Sequence, residues 1–271
     1  MLKRSLLLIG FLLGSYTHAA SLFVWDETPG HGGTSGNFSQ ACWYFNSDVS
    51  TATSVAYTGT NTPGAQAYCY IGYTFSYQDN RQVYTQTNTA ITVTAAGAYK
   101  YLWLGNNVTF SMATWPTGGQ TVYLGTHSII RGSSNGFSSN STYNYDFGSF
   151  SGDAKLSMGS FWMQSGARVN FTGNLAMTAD SFTYTLFSAT NLAQNSGVWN
   201  ASGVSVTDMH GKSLDYAGYF TDATQIDRGQ YGLVLDGGSV KLLANGTIPE
   251  PATATLSLFG LSALMMRRRR K

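Results

Sequence analysis

A few residues in this sequence have the types and spacing to do chemistry. Gly132-Ser133-Ser134-Asn135-Gly136 matches the G-x-S-x-G pattern, which thrusts a nucleophilic Ser out of a tight strand-to-helix turn. The residues after it, Phe137-Ser138-Ser139-Asn140-Ser141, do not read as a helix, so the match is expected to be a loop of a Ser- and Gly-rich chain. Gly211-Lys212-Ser213 looks like the end of a phosphate-binding loop, but Val206 stands where that loop needs its first Gly, and a turn is expected instead. His31, His127 and His210 lack the H-E-x-x-H spacing of a metal site, and Asp208 with His210 reads as a surface pair. Asp222 and Asp227 are the carboxylates one would pair for glycoside hydrolysis, though glycosidases usually carry more acidic residues in aromatic settings. No Asp-rich calcium loop is present, and neither a cofactor nor a metal is expected.

Tyr68, Tyr70, Tyr73, Phe75 and Tyr77 are close enough to form an aromatic row. In an extended chain Tyr68 and Tyr70 share one face, and Tyr73, Phe75 and Tyr77 share the other unless a bulge at Gly72 resets the phase. Stacking of sugar rings on Tyr68, Tyr70, Tyr73 and Tyr77 is one reading. Ordinary cross-strand aromatic pairing is the other. Cys42 and Cys69 are the two cysteines, a candidate disulfide or two buried thiols; a bond between them would stabilise an exported domain by about 3–4 kcal/mol. Six N-x-S/T matches, at Asn37, Asn107, Asn140, Asn170, Asn200 and Asn245, read as polar surface turns.

The elements that must position these residues are strands. The middle of the chain is dense in Val, Ile, Thr and aromatics, with period-two alternation in Thr89–Thr94, Arg168–Phe171 and Ser181–Ser188. Gly105-Asn106-Asn107, Gly118-Gly119 and Gly237-Gly238 punctuate the runs. Leu102-Trp103-Leu104-Gly105, Val122-Tyr123-Leu124-Gly125 and Leu156-Ser157-Met158-Gly159 repeat the pattern apolar, any, apolar, Gly, each followed by another apolar strand. The expected fold is all-β, with β-solenoid-like stacked strands and Asn or Gly at the corners; a β-sandwich or jelly roll is the alternative. Helices are expected in the targeting segments alone.

The 271 residues carry 15 Lys and Arg against 13 Asp and Glu, only 10% charged. The distribution matters more than the sum. Lys3 and Arg4 precede an apolar run from Leu6 to Leu13 and small residues up to Ala20, the pattern of a secretory signal peptide cleaved between Ala19 and Ala20. At the other end, Arg267 to Arg270 and Lys271 follow a charge-free stretch from Ala252 to Met266, too short for a stable span. Without those seven cations the body is faintly acidic. A nucleic-acid partner is not expected, because no basic patch is there to neutralise phosphates.

The order Pro249-Glu250-Pro251, apolar segment, then Arg267, Arg268, Arg269 and Arg270 resembles the PEP-CTERM sorting signal of exported proteins of Gram-negative bacteria. The resemblance covers the last 23 or so residues. It implies processing by exosortase as a partner, a transient anchor in the inner membrane, and delivery to the cell surface, outer membrane or extracellular matrix, in association with exopolysaccharide. The stretch from Leu102 to Ala189 is also similar, in its repeats, to autotransporter-type adhesin passengers. The chain is thus divided into a signal peptide (1–19), an N-terminal β region (20–95), a β-solenoid-like body (96–246) and the sorting signal (247–271). The expected function is structural or adhesin-like and non-enzymatic; a carbohydrate-binding module and a glycan hydrolase are the alternatives.

Overall fold

In the computed structural model residues 20–247 are described, apart from Gly30, Ala41, 95–98, 113–118 and Asn195. Alternation of large apolar and small polar side chains gives an extended chain one face to bury, and strands form wherever it runs. The first are β1 (Leu22–Trp25), β2 (Ser35–Asn37), β3 (Trp43–Asn46) and β4 (Ala56–Tyr57). Then come β5 (Tyr68–Ile71), β6 (Tyr73–Gln78), β7 (Arg81–Gln86), β8 (Ile91–Thr94), β9 (Tyr101–Leu104), β10 (Val108–Met112), β11 (Thr121–Leu124) and β12 (Ile129–Phe137). Longer strands follow: β13 (Thr142–Ser149), β14 (Lys155–Met163), β15 (Arg168–Ala176), β16 (Ser181–Gln194) and β17 (Val198–Thr207). The last are β18 (Asp215–Phe220), β19 (Gln230–Asp236) and β20 (Ser239–Asn245). A three-residue 3-10 turn at Ala223–Gln225 is the one helical element among the described residues.

The fold is all-β. Two nine-stranded sheets hold every strand except the β6–β7 hairpin. From β5 onward the chain crosses from one sheet to the other and back. β5, β9, β11, β13, β15 and β17 are parallel neighbours in the first sheet. β8, β10, β12, β14 and β16 are parallel neighbours in the second. This is a two-sheeted β-solenoid, and its parallel pairing departs from the sandwich alternative. Both sheets run across the 95/96 boundary, with β5 on β9 and β8 on β10.

The solenoid tapers. Tyr101, Thr121, Asn144, Asn170 and Asn200 stand in one row of the first sheet, and successive members are 20, 23, 26 and 30 residues apart. Leu102, Leu104, Val108, Phe110, Val122 and Ile130 fill the narrow coils. In the wide coils Phe137, Phe161, Phe187 and Trp199 make a continuous aromatic chain, with centroids 4.8, 4.9 and 5.0 Å apart. Each such burial stabilises by about 1.5–3 kcal/mol.

Glycines fix one corner. A Cβ on Gly105 would lie 2.5 Å from the Gly72 carbonyl oxygen, and one on Gly125 would lie 2.6 Å from the Gly105 carbonyl carbon. Only glycine allows three coils to stack so closely there. In the same corner Asn107 takes a positive φ of 63°, and at another corner Asn140 takes one of 54°. Both ends are closed by antiparallel strands. β3 lies on β1 and β4 on β3, while β20 lies on β16 and β19 on β20 around the Gly237-Gly238 turn.

Four expectations need correction. The third copy of the repeat, Leu156–Gly159, lies in the second sheet, where Leu156 pairs with Ile130 rather than with Val122. Gly132–Gly136 is the middle of β12, not a loop, and no strand-to-helix turn surrounds Ser134. In β16 a bulge between Thr185 and Phe187 breaks the alternation, so Leu186 and Phe187 are both fully buried. Cys42 and Cys69 are free, buried thiols. Cys69 faces Phe23 across one edge of β1, whereas the Cys42 carbonyl accepts from the Asp26 amide beyond its other edge. Two strand spacings and three residues separate them, roughly 14 Å between Cα atoms. A disulfide reaches only about 7 Å.

Candidate functional site

Strand register builds an aromatic ladder on the outer face of the first sheet. Tyr70, Trp103 and Tyr123 occupy one row, each two residues before a glycine of the Gly72, Gly105 and Gly125 corner. Tyr84 of the hairpin stacks on Tyr70 at 4.0 Å, Tyr70 on Trp103 at 4.3 Å, and Trp103 on Tyr123 at 4.8 Å, all within 8° of parallel. Tyr68 and Tyr101 make the next row, 4.7 Å apart. Farther along, the row passes to asparagine. Asn200 donates to Asn170 at 3.2 Å, and Asn170 donates to Asn144 at 3.0 Å. Asn170 and Asn200 are therefore ladder residues in strands rather than surface turns.

At Gly72, with φ +78°, the chain leaves the sheet and folds back as the β6–β7 hairpin. The turn at Gly72 sets Tyr73, the first residue of β6, edge-on to Tyr70 at 5.7 Å. Of the four tyrosines read as glycan contacts, Tyr70 is 7% exposed and sandwiched on both ring faces. Burial, reinforced by Tyr84, pushes its hydroxyl far up. Tyr68 is half-buried, and its hydroxyl is raised by burial and then by Tyr101. Tyr77 is exposed and lines a separate small pocket with Arg81 and Gln82. The four do not make one flat platform.

Tyr73 instead walls a cleft of about 520 Å³ between the hairpin and β1. Trp25, Tyr44 and Phe75 line it together with two carboxylates, Asp26 and Glu27. Both follow directly on the last residue of β1. Asp26 is 1% exposed, accepts from the Thr28 amide at 2.9 Å and pairs with the His31 ring. Burial alone would raise its carboxyl, but the bonds from Thr28 and His31 outweigh that and hold it below its ordinary value. His31 stacks flat on Tyr57 at 3.8 Å. Glu27 accepts from the Thr87 hydroxyl at 2.7 Å, which ties the end of β1 to the end of the hairpin. The cleft thus presents the rings of Tyr44, Tyr73 and Phe75 beside the polar groups of Glu27 and Thr87. No family model, curated relative or solved structure matches the chain.

Other residues singled out in the sequence lie apart from this cleft. Asp222 caps the 3-10 turn by accepting from the Thr224 amide. Asp208 is buried, not on the surface, and accepts from the amides of His210, Lys212 and Thr247. Gly211, at φ +79°, makes the expected turn. Among the described residues, no group of three His, Cys, Asp or Glu side chains could hold a metal ion, and no helix is long and apolar enough to cross a membrane. Ala19, Pro249, Glu250, Pro251 and Arg267 to Arg270 lie outside the described residues. Ala20 is held in place, its carbonyl accepting from the Val49 amide at 2.7 Å. The ladder partners Tyr84, Tyr101, Trp103 and Tyr123 were missed in the sequence. Counting back from the three corner glycines would have aligned all but Tyr84.

Proposed function

We propose that this chain is an exported, non-enzymatic protein of the bacterial cell surface or extracellular matrix, structural or adhesin-like and associated with exopolysaccharide. The observation that carries the reading is the order of Pro249-Glu250-Pro251, the apolar stretch and Arg267 to Arg270. Exosortase is the processing partner, and the apolar stretch is a transient membrane anchor. A charge-poor, hydroxyl-rich solenoid suits such a place, because it meets hydrated glycans through hydrogen bonds and does not rely on a net charge that salt would screen. Mass spectrometry of the protein recovered from the cell surface tests the route. An N-terminus at Ala20 and no peptide from Arg267 to Lys271 are expected, and recovery of the intact tail would overturn the processing.

The aromatic cleft favours a second reading, a carbohydrate-binding module. Binding on a glycan array that Tyr73→Ala and Tyr44→Ala abolish would support it. Tyr77→Ala should leave such binding intact, and loss in Tyr77→Ala alone would place sugar contact elsewhere.

A further inference from the structure

The second sheet turns its own outer face to solvent, opposite the aromatic ladder. A groove of about 720 Å³ crosses β10, β12 and β14 there. Register puts Thr94, Ser111, Arg131 and Ser157 in one row across four strands. Thr109, Ile129 and Lys155 form the row beside it. Members of a row are about 4.8 Å apart. Arg131 and Lys155 are diagonal neighbours on adjacent strands, with Cα atoms about 7–8 Å apart.

The charge of this groove runs against that of the body. Between Ala20 and Pro249 the sequence has eight basic and twelve acidic residues. Two of the eight cations share this groove, yet no carboxylate lines it. Neither forms an ion pair with another described residue. Two like charges placed side by side without a counter-ion repel each other, and a bound anion relieves that repulsion. In the Arg131 row hydroxyls lie on both sides along the solenoid axis, Thr94 and Ser111 on one and Ser157 on the other, and the Lys155 row adds Thr109 beyond Ile129. A ligand matched to this surface has carboxylates at intervals and hydroxyls between them along a linear chain.

We propose that the groove binds an acidic polysaccharide, its carboxylates paired with Arg131 and Lys155 and its hydroxyls bonded to the flanking serine and threonine rows. This deepens the matrix reading by naming the polymer class. The arginine of the pair takes a carboxylate in a two-pronged bond, and the lysine takes the next as a point charge.

The test uses the full chain carrying Arg267→Gln, Arg268→Gln, Arg269→Gln and Arg270→Gln, so that the tail cannot hold the polymer. Binding to immobilised polygalacturonate and to neutral dextran is compared. Retention by polygalacturonate alone is expected. Arg131→Gln with Lys155→Gln should weaken it at least about tenfold, as loss of charge-assisted bonds does, with the melting curve unchanged. Lys100→Gln, on the other sheet beside Tyr101, should leave binding as it was. Equal binding by the double variant, equal loss in Lys100→Gln, or equal retention by dextran would overturn the proposal. Should the double variant unfold, the background chain decides. Polygalacturonate should slow acetylation of Lys155 and leave that of Lys100 unchanged, and equal rates would sink the proposal. Failure here leaves the export route standing, and an unprocessed tail leaves this binding result standing.

Discussion

Asp208 shows how much one carboxylate holds in place. It is 4% exposed and accepts from the amides of His210 at 2.9 Å, Lys212 at 2.8 Å and Thr247 at 3.0 Å, and from the Thr247 hydroxyl. The Thr247 hydroxyl bond leads in holding its carboxyl well below the ordinary 3.8, against the opposing effect of burial. In the unfolded chain the group takes up its proton near 3.8, while in the folded chain it stays ionised below that. The unfolded state therefore binds more protons in that window. The stabilisation is present above the ordinary value and is lost as pH falls through the folded one. A thermal melt of the protein should drop on acidification below about pH 4. Asp208→Asn should lower the melting temperature at neutral pH and flatten the acid dependence; an unchanged acid slope would assign it elsewhere. The cysteines give a second check. Alkylation of the unreduced, denatured protein should label both Cys42 and Cys69, and a reductant should leave the melt unmoved. Pairing is common in exported chains, the class the sequence led one to expect, but the separation that forbids it arises from the register of three strands.

Elements were legible to the extent that they are local. Alternation in Ile91–Thr94 and Arg168–Phe171 marked real strands, and the first two copies of the repeat pair as Leu102 with Val122 and Leu104 with Leu124. What alternation cannot carry is the partner and the direction of pairing, so Leu156–Gly159 matched the pattern from the wrong sheet. The glycine corner makes a sharp prediction. Gly125→Ala forces a methyl against the Gly105 backbone and should destabilise by about 1–3 kcal/mol in chemical denaturation. Gly64→Ala, with nothing within 4 Å, should cost nothing measurable. The free edge of β17 makes another. Its Val204 and Ala201 carbonyls accept from the Tyr231 hydroxyl at 2.7 and 3.3 Å, and the Ala201 amide donates to the Tyr216 hydroxyl at 3.2 Å. Tyrosines of the last sheet strands thus close an edge that parallel stacking would leave open. Tyr231→Phe should cost about 1–3 kcal/mol, read as a shifted urea midpoint at constant slope.

At the scale of the whole molecule, stability is unevenly spread. The coils share one core from Phe23 to Ala244, whereas the hairpin carries a two-stranded sheet of its own and joins the body through rings. Two strands alone are marginal in water. Hydrogen exchange should therefore be slowest in β10, β12, β14 and β16 and faster in β6 and β7, and equal protection would deny that difference. The taper was not visible in the sequence, because coils that lengthen from 20 to 30 residues leave no fixed period to detect. That lengthening sets this chain apart from arrays with interchangeable units, which grow by copying a repeat and tolerate its loss. Here every coil has a perimeter of its own, matched to one neighbour below and one above. A duplicated coil would meet a step on one side, and a chain slipped by one coil would misalign every corner. Position along the axis is thus written in the perimeter of each coil, so every layer has one place in the stack.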